Sequence, residues 1–364
     1  MMRLLGFLAS LGQPGRDLAY RIDLARELGP RYALRRLLEE RAGGTAPSGS
    51  GYRRIWAEAA QELGVELTVL GSGFFEFRKD GRITRAWENC TPLDDPVTLK
   101  LALDKALVHR LVTEAGVPTP EHVEYEATDL APAIAFLQRA RQPCVVKPVS
   151  SNFGSGVTGG LKTRSQLERA TWRASRLSRR LLIERQAEGA VYRLLFLDGR
   201  LIDVIRRLPP TLTGDGSSTI AELVDTENRR RVESHEDRAP ALLKIDLDAV
   251  FALERAEMRL RSTPPRGAQV RLKTVISQNN ALENETVHDD VSELAGEALA
   301  AVGWVGLRLA GVDVVTTDPT RSLRETGGVI IEVNGAPGLH NHYEVAAPEH
   351  ATRVAIPVLQ AMLS

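Results

Sequence analysis

Three oxygen-bearing residues near the end of the chain are spaced to suit a hard cation. Asp313 lies in the β-branched run AGVDVVT at 310–316, and Glu332 and Asn334 lie in VIIEVNGAPG at 329–338. Residues two apart on a strand point to one face, so Glu332 and Asn334 present their oxygens together. Carboxylate and amide oxygens of this kind fit Mg²⁺, with Mn²⁺ as a substitute, and substrate phosphates usually complete such a site. The pattern points to a nucleotide enzyme.

Phosphate-binding candidates stand upstream. Ser150, Ser151, Gly154, Ser155, Gly156 and Val157 belong to SSNFGSGV. Small residues let backbone N–H groups approach phosphate oxygens closely. The run lacks GxxxxGK[ST], so it is not a P-loop. It follows PCVVKP, a strand whose Lys147 can reach phosphates as a point charge. Lys105 sits in the helical LALDKALVHRL, where the plain alternative is a solvated lysine beside Asp104 or Glu114. Only seven of the 47 basic residues are Lys. Where Arg is the default, a lysine suggests a need for a compact charge. In LIERQAEG at 182–189, a strand ends in Glu184, Gln186, Ala187 and Glu188. Such an exit suits the edge of an adenine, and an ordinary strand end is the alternative.

Elements must carry these groups. Apolar periodicity predicts helices over Asp17–Arg41, Tyr52–Leu63, Val97–Ala115, Asp129–Arg141, Ser165–Leu181, Asp289–Val302 and Pro348–Leu363, with another from about Ile220. Predicted strands are Val65–Leu70, Phe74–Arg78, Arg82–Trp87, Pro143–Pro148, Leu182–Glu184, Tyr192–Leu197, Arg200–Arg206 and Val270–Ile276, besides the two that open this section. Asp198-Gly199 and Lys79-Asp80-Gly81 are hairpin turns. Ala42–Gly51 reads as a Gly/Ser-rich loop.

Bulk properties narrow the class. With 364 residues, 43% hydrophobic and 26% charged, the chain is long enough for two or three lobes. Zero net charge gives no sign of a nucleic-acid or anionic-membrane surface. Cys90 and Cys144 form neither a disulfide framework nor a zinc pattern, which suits a cytoplasmic setting. The opening MMRLLGFLASLG lacks a clear cleavage site and reads as a buried first element. No run reaches the roughly 18 apolar residues that a membrane span needs.

In order, the chain carries DKALVHRLVTEAGVPTP, PCVVKP, SSNFGSGV, LIERQAEGAVYRLLFLDGRLI, RRLPPTLTGDGSSTIAELV, GLRLAGVDVV and IIEVNGAPGLHNH. This series resembles the ATP-grasp superfamily, and within it the ATP-grasp domain of cyanophycin-synthetase-type amino-acid ligases, over residues 97–350. The resemblance implies an α+β fold in which two α/β lobes grip ATP, preceded by a small N-terminal lobe. The implied divisions are 1–97, 98–183 and 184–364. It implies a carboxylate–amine ligase that forms an amide between amino acids or short peptides through an acyl phosphate, giving ADP and phosphate. Lys105, Lys147 and Ser150–Gly156 would hold phosphates, and Glu184, Gln186 and Ala187 the adenine. Asp313, Glu332 and Asn334 would hold Mg²⁺, and Arg193 with Arg206 or Arg207 would lie near the acyl group or phosphates. The acid that contacts ribose in many relatives falls at Val191, leaving Glu188 for that role. Where D-alanine–D-alanine ligases carry an Arg, this chain has Gly311, so Arg271 or Lys273 is expected to stabilise the tetrahedral intermediate. The segment RLKTVISQNNALENETVHDD departs from the family pattern. His340 and His342 read as a polar surface loop, with substrate contact as the alternative. No Mur-ligase-like module is present, so a full cyanophycin synthetase is not expected. A homodimer is compatible with the resemblance. An acid–thiol ligase, a small-molecule kinase and a non-catalytic nucleotide-binding module remain open on the same scaffold.

Overall fold

Strand alternation builds the centre of the molecule. In the computed structural model, which describes residues 50–151, 154–233, 242–274, 284–343 and 345–364, fourteen strands fall into four sheets. The expected helix Asp17–Arg41, the opening segment, most of Ala42–Gly51 and the end of Val270–Ile276 lie outside the described residues. β1 (Glu66–Gly71), β2 (Phe74–Lys79) and β3 (Arg82–Trp87) form an antiparallel meander. β4 (His122–Glu126), β5 (Cys144–Pro148), β6 (Thr158–Leu161) and β7 (Arg180–Arg185) form a sheet of order β4-β7-β5-β6. β8 (Ala190–Leu197), β9 (Arg200–Arg207), β12 (Asn284–Thr286), β13 (Leu309–Thr316) and β14 (Val329–Gly335) form a sheet of order β12-β9-β8-β13-β14. β10 (Thr211–Thr213) pairs with β11 (Gln269–Arg271). The architecture is α+β.

The five-stranded sheet buries different residues on its two faces. Tyr192, Leu194 and Phe196 of β8 and Val312 and Val314 of β13 face one core, capped by the helices Lys105–Glu114 and Ser292–Val305. On the other face, Leu195, Leu197 and Leu309 pack with Ile55, Trp56, Phe75 and Val358, from the helices Ser50–Leu63 and Ala355–Leu363 and from β2. A third core lies on the four-stranded sheet and includes Leu247, Val250 and Phe251 of the Leu247–Arg255 helix. The chain therefore returns from the 208–246 region to cover β6.

Two expected helices are broken: Pro348–Leu363 gives a 3₁₀ turn at Pro348–His350 and the helix Ala355–Leu363, and Val97–Ala115 also divides. Pro96–Ala102 and Lys105–Glu114 are separated at Leu103-Asp104. Asp104 takes an extended conformation and its side chain accepts from Leu107 N. An aspartate can cap a helix as readily as occupy its interior, and here it restarts the helix at Lys105. β4, β6 and the Leu247–Arg255 helix arise where the sequence showed no element.

Candidate active site

Antiparallel register lays charged residues across one face of the central sheet. Arg193 opposes Asp313, and Asp313 opposes Glu332. Arg207 lies two residues beyond Ile205, which opposes Arg193. Opposed residues share a face, so all four meet on it. Arg193 Nε and Nη2 donate to Asp313 Oδ1 and Oδ2 at 2.7 and 2.6 Å, and Arg207 Nη1 donates to Oδ2 at 3.4 Å. Burial favours loss of Arg193's proton, but Asp313 outweighs it and raises the pKa. Arg207 moves the other way, down to about 10, through burial and then repulsion from Arg193. The forked contact at Arg193 and the single long one at Arg207 account for the difference.

Glu332 stands 2.9 Å from Lys105 Nζ, which also donates to Ser151 O at 2.8 Å. Burial pushes the Glu332 carboxyl up, yet Lys105, then Arg193 and Lys147, hold it well below the ordinary carboxylate range. Glu332 keeps 28% of its side-chain surface accessible although cations surround it, so the carboxylate stays open to solvent. Asn334 Nδ2 donates to Gly311 O at 3.2 Å, so its Oδ1 is the atom available as an acceptor. Among the described residues no three His, Cys, Asp or Glu side chains gather as a metal site. The available donors are two carboxylates and one amide, a hard-oxygen set whose chemistry fits Mg²⁺.

The facing sheet adds Lys147, 2.7 Å from Glu184 Oε2, with both groups buried. Glu184, expected at an adenine edge, thus has its carboxylate against Lys147. His109 joins them and was missed in the sequence. Its Nε2 lies 3.4 Å from Lys147 Nζ and 3.2 Å from Ile331 O. Burial, then Lys147 and His122, push its pKa well down and keep the ring neutral. The signal was available, because His109 follows Lys105 by four residues and so shares its helix face.

The loop residues are placed as follows. Ser150 is exposed and its Oγ donates to Leu103 O at 3.3 Å. Gly154 and Gly156 have φ of 61° and 76°, a region that favours glycine. Ser155 is half-buried beside them, and Val157 is buried. Gln186 Oε1 accepts from Gly160 N at 2.7 Å, while Ala187 is half-buried and Glu188 exposed.

Three expected cations lie apart from the row. Arg206 opposes Tyr192 on the other face and sits 3.6 Å from Glu285. Lys273 Nζ donates to Asp246 Oδ2 at 2.8 Å, and Arg271 donates to the carbonyls of Lys273 and Thr274. The space at Gly311 is taken instead by Arg193 and Pro337. A Cβ there would stand 2.8 Å from Pro337 Cβ and 3.7 Å from Arg193 Nε. Arg193 is therefore a cation beside that position, whereas Arg271 and Lys273 have their partners elsewhere.

His340 and His342 are not surface groups either. His342 is fully buried with Nδ1 2.6 Å from Asp203 Oδ2. His340 Nδ1 lies 2.8 Å from Tyr52 Oη, and burial, then Arg193 and Arg207, bring its pKa down to about 4. Leu339, buried in the core beneath the N-terminal meander, draws this turn inward.

No protein-family model matches the chain. Over 251 residues it is 36% identical to a cyanophycin synthetase from Trichormus variabilis, a match covering 67% of this chain and 27% of that protein. It is 29% identical over 298 residues to the glutathione biosynthesis bifunctional protein GshAB of Streptococcus agalactiae, covering 78% of this chain and 38% of that one. A solved bifunctional glutathione synthetase from Pasteurella multocida superposes with a TM-score of 0.54 at 20% identity, covering 86% of this chain and 44% of that one. The chain belongs to the ATP-grasp superfamily. The last likeness speaks to the ATP-grasp fold alone. The match spans less than half the length of each of these relatives.

Proposed function

We propose that this ATP-grasp chain is an ATP-dependent carboxylate–amine ligase acting on amino acids or short peptides. The observation that carries the reading is the run Lys105–Glu332–Asp313–Arg193–Arg207 over one face of the five-stranded sheet, with Lys147 reaching it from the four-stranded one. Phosphoryl transfer needs positioning and charge neutralisation more than covalent chemistry, and this array supplies both. A substrate carboxylate oxygen attacks the γ-phosphorus and ADP departs. The amine nitrogen then attacks the acyl carbon, phosphate leaves and the amine loses a proton. Lys105 and Lys147 bind phosphate oxygens, and Arg193 and Arg207 offset charge on the acyl phosphate and the intermediate that follows. Asp313, Glu332 and Asn334 would hold Mg²⁺, which would supply positive charge against the developing charge of the phosphates. The Ser150–Gly156 segment excludes water from the labile acyl phosphate.

The similarity to a cyanophycin synthetase and to a glutathione biosynthesis protein supports this reading. The test is ADP release from ATP against a panel of carboxylates, with and without amines, followed by mass analysis of the products. An amine-dependent rise in ADP with an amide product is expected. A phosphorylated or thioester product without amide would replace the ligase with a kinase or acid–thiol ligase. ATP binding with no turnover across the panel would leave a binding module.

A further inference from the structure

The helix Leu247–Arg255 carries two charged side chains that no role above uses. Asp248 is 1% exposed. Its Oδ1 accepts from Gly159 N at 3.0 Å and its Oδ2 from Thr274 N at 2.9 Å. Arg255, seven residues on and so on the same helix face, bridges the same two segments. Its Nη1 donates to Gly159 O at 3.4 Å and its Nη2 to Thr274 Oγ1. The next amide, Gly160 N, donates to Gln186 Oε1. Two glycines just past the Ser150–Gly156 loop are thus gripped by side chains on their N–H and C=O groups.

We propose that Asp248 and Arg255 are positioning residues for the nucleotide site, fixing Gly159 and Gly160 at the end of the phosphate loop against Gln186 and Thr274. The proposal rests on the reading of that loop and of Gln186 as nucleotide contacts. Among the described residues β6 is an edge strand that pairs with β5 alone, and a short glycine-containing edge has weak register of its own. A carboxylate accepting two amides, and a guanidinium facing a carbonyl, supply that register through charge-assisted bonds. Docking of the helix does not need them, because Leu247, Val250 and Phe251 enter one core and Ala249 and Leu253 another. Burying the Asp248 carboxylate costs free energy, and its two amide bonds to Gly159 and Thr274 offset that cost by fixing those segments. Gly160 fits the same picture. Its φ is 71°, and a Cβ there would stand 2.0 Å from Arg255 Nη1, so a side chain would drive Arg255 from its place.

The test measures binding of a non-hydrolysable ATP analogue with Mg²⁺ by calorimetry, well below the unfolding temperature, for the wild type, Asp248→Asn and Arg255→Lys. Asp248→Asn keeps one acceptor and should weaken nucleotide binding about tenfold, the loss of one hydrogen bond to a charged group. Arg255→Lys, which keeps charge and loses the fork, should weaken it severalfold. In turnover, the KM for ATP should rise while kcat stays within about twofold. A purely structural role would lower the melting temperature and the active fraction without moving the KM. Folded variants with wild-type nucleotide affinity would overturn the positioning role alone. A wild type that binds no nucleotide would overturn the underlying site reading, and this proposal with it.

Discussion

A single carboxylate, Asp313, stands between two buried arginines. Replacing it by Asn would remove the carboxylate that both Arg193 and Arg207 contact. Removing one partner of a buried ion pair costs about 3–5 kcal/mol because the other charge stays uncompensated. Asp313→Asn should therefore destabilise the fold by that order in urea denaturation. Combining it with Arg193→Met should restore part of the loss, since one of the stranded cations is gone. A double variant as unstable as the sum of the two single ones would show that the pair does not interact as drawn. The same fork explains why a glycine precedes Asp313 by two residues, since Gly311 leaves room for Pro337 and Arg193.

At the scale of elements, Asp246 ties three of them together. It caps the Leu247–Arg255 helix by accepting from Ala249 N, receives Lys273 Nζ at 2.8 Å and lies 3.1 Å from Arg173 Nη2. Burial works to raise its pKa, but Arg173 and Lys273 win and hold it below the ordinary carboxylate range. A carboxyl whose folded pKa is depressed contributes stability above its unfolded pKa and loses it as pH falls through the folded value. Stability should thus decline below about pH 4, and Asp246→Asn should flatten that decline while lowering stability at pH 7. An acid profile unchanged by Asp246→Asn would refute the assignment. How far such elements were legible depended on patterning. β8, β9, β13 and β14 announced themselves through β-branched runs and the Asp198-Gly199 turn, and with them came Asp313, Glu332 and Asn334. β4 did not, because HVEYE has only Tyr125 fully buried. The break at Asp104 was hidden because a cap and an interior aspartate look alike in one dimension. Arg206 and Arg207 could not be told apart until the register fixed which one shares a face with Arg193. The partners of Arg271 and Lys273 depend on Asp246, distant in sequence and silent in any local motif.

For the molecule as a whole, the two sheets are linked through the residues proposed to bind nucleotide. Lys105 leaves a helix whose first amide donates to Val149 O beside the four-stranded sheet, and its Nζ reaches Glu332 on the five-stranded one. Lys147 and His109 both approach Ile331 O across the same gap. With Asp313 answered by Arg193 and Glu332 by Lys105, the carboxylates proposed to hold a cation are already neutralised. A divalent ion arriving alone would have to displace a lysine or an arginine from a buried partner, at a cost in desolvation. Nucleotide phosphates change this, because they give Lys105 and Lys147 new anionic partners and release Glu332. Metal and nucleotide should therefore bind cooperatively. In thermal-shift measurements, Mg²⁺ or Mn²⁺ alone should barely move the midpoint, whereas the two together should exceed the sum of their separate shifts. At a ligand concentration of 100 times Kd the stabilisation should approach about 2.7 kcal/mol. Electron paramagnetic resonance of Mn²⁺ gives a second readout, with free-ion signal persisting until nucleotide is added. Lys105→Met should uncouple the pair, letting Mn²⁺ bind at Glu332 without nucleotide while nucleotide affinity falls. Tight Mn²⁺ binding to the wild type without nucleotide would show that the cationic side chains do not guard the carboxylates, and the coupling across the cleft would have to be abandoned.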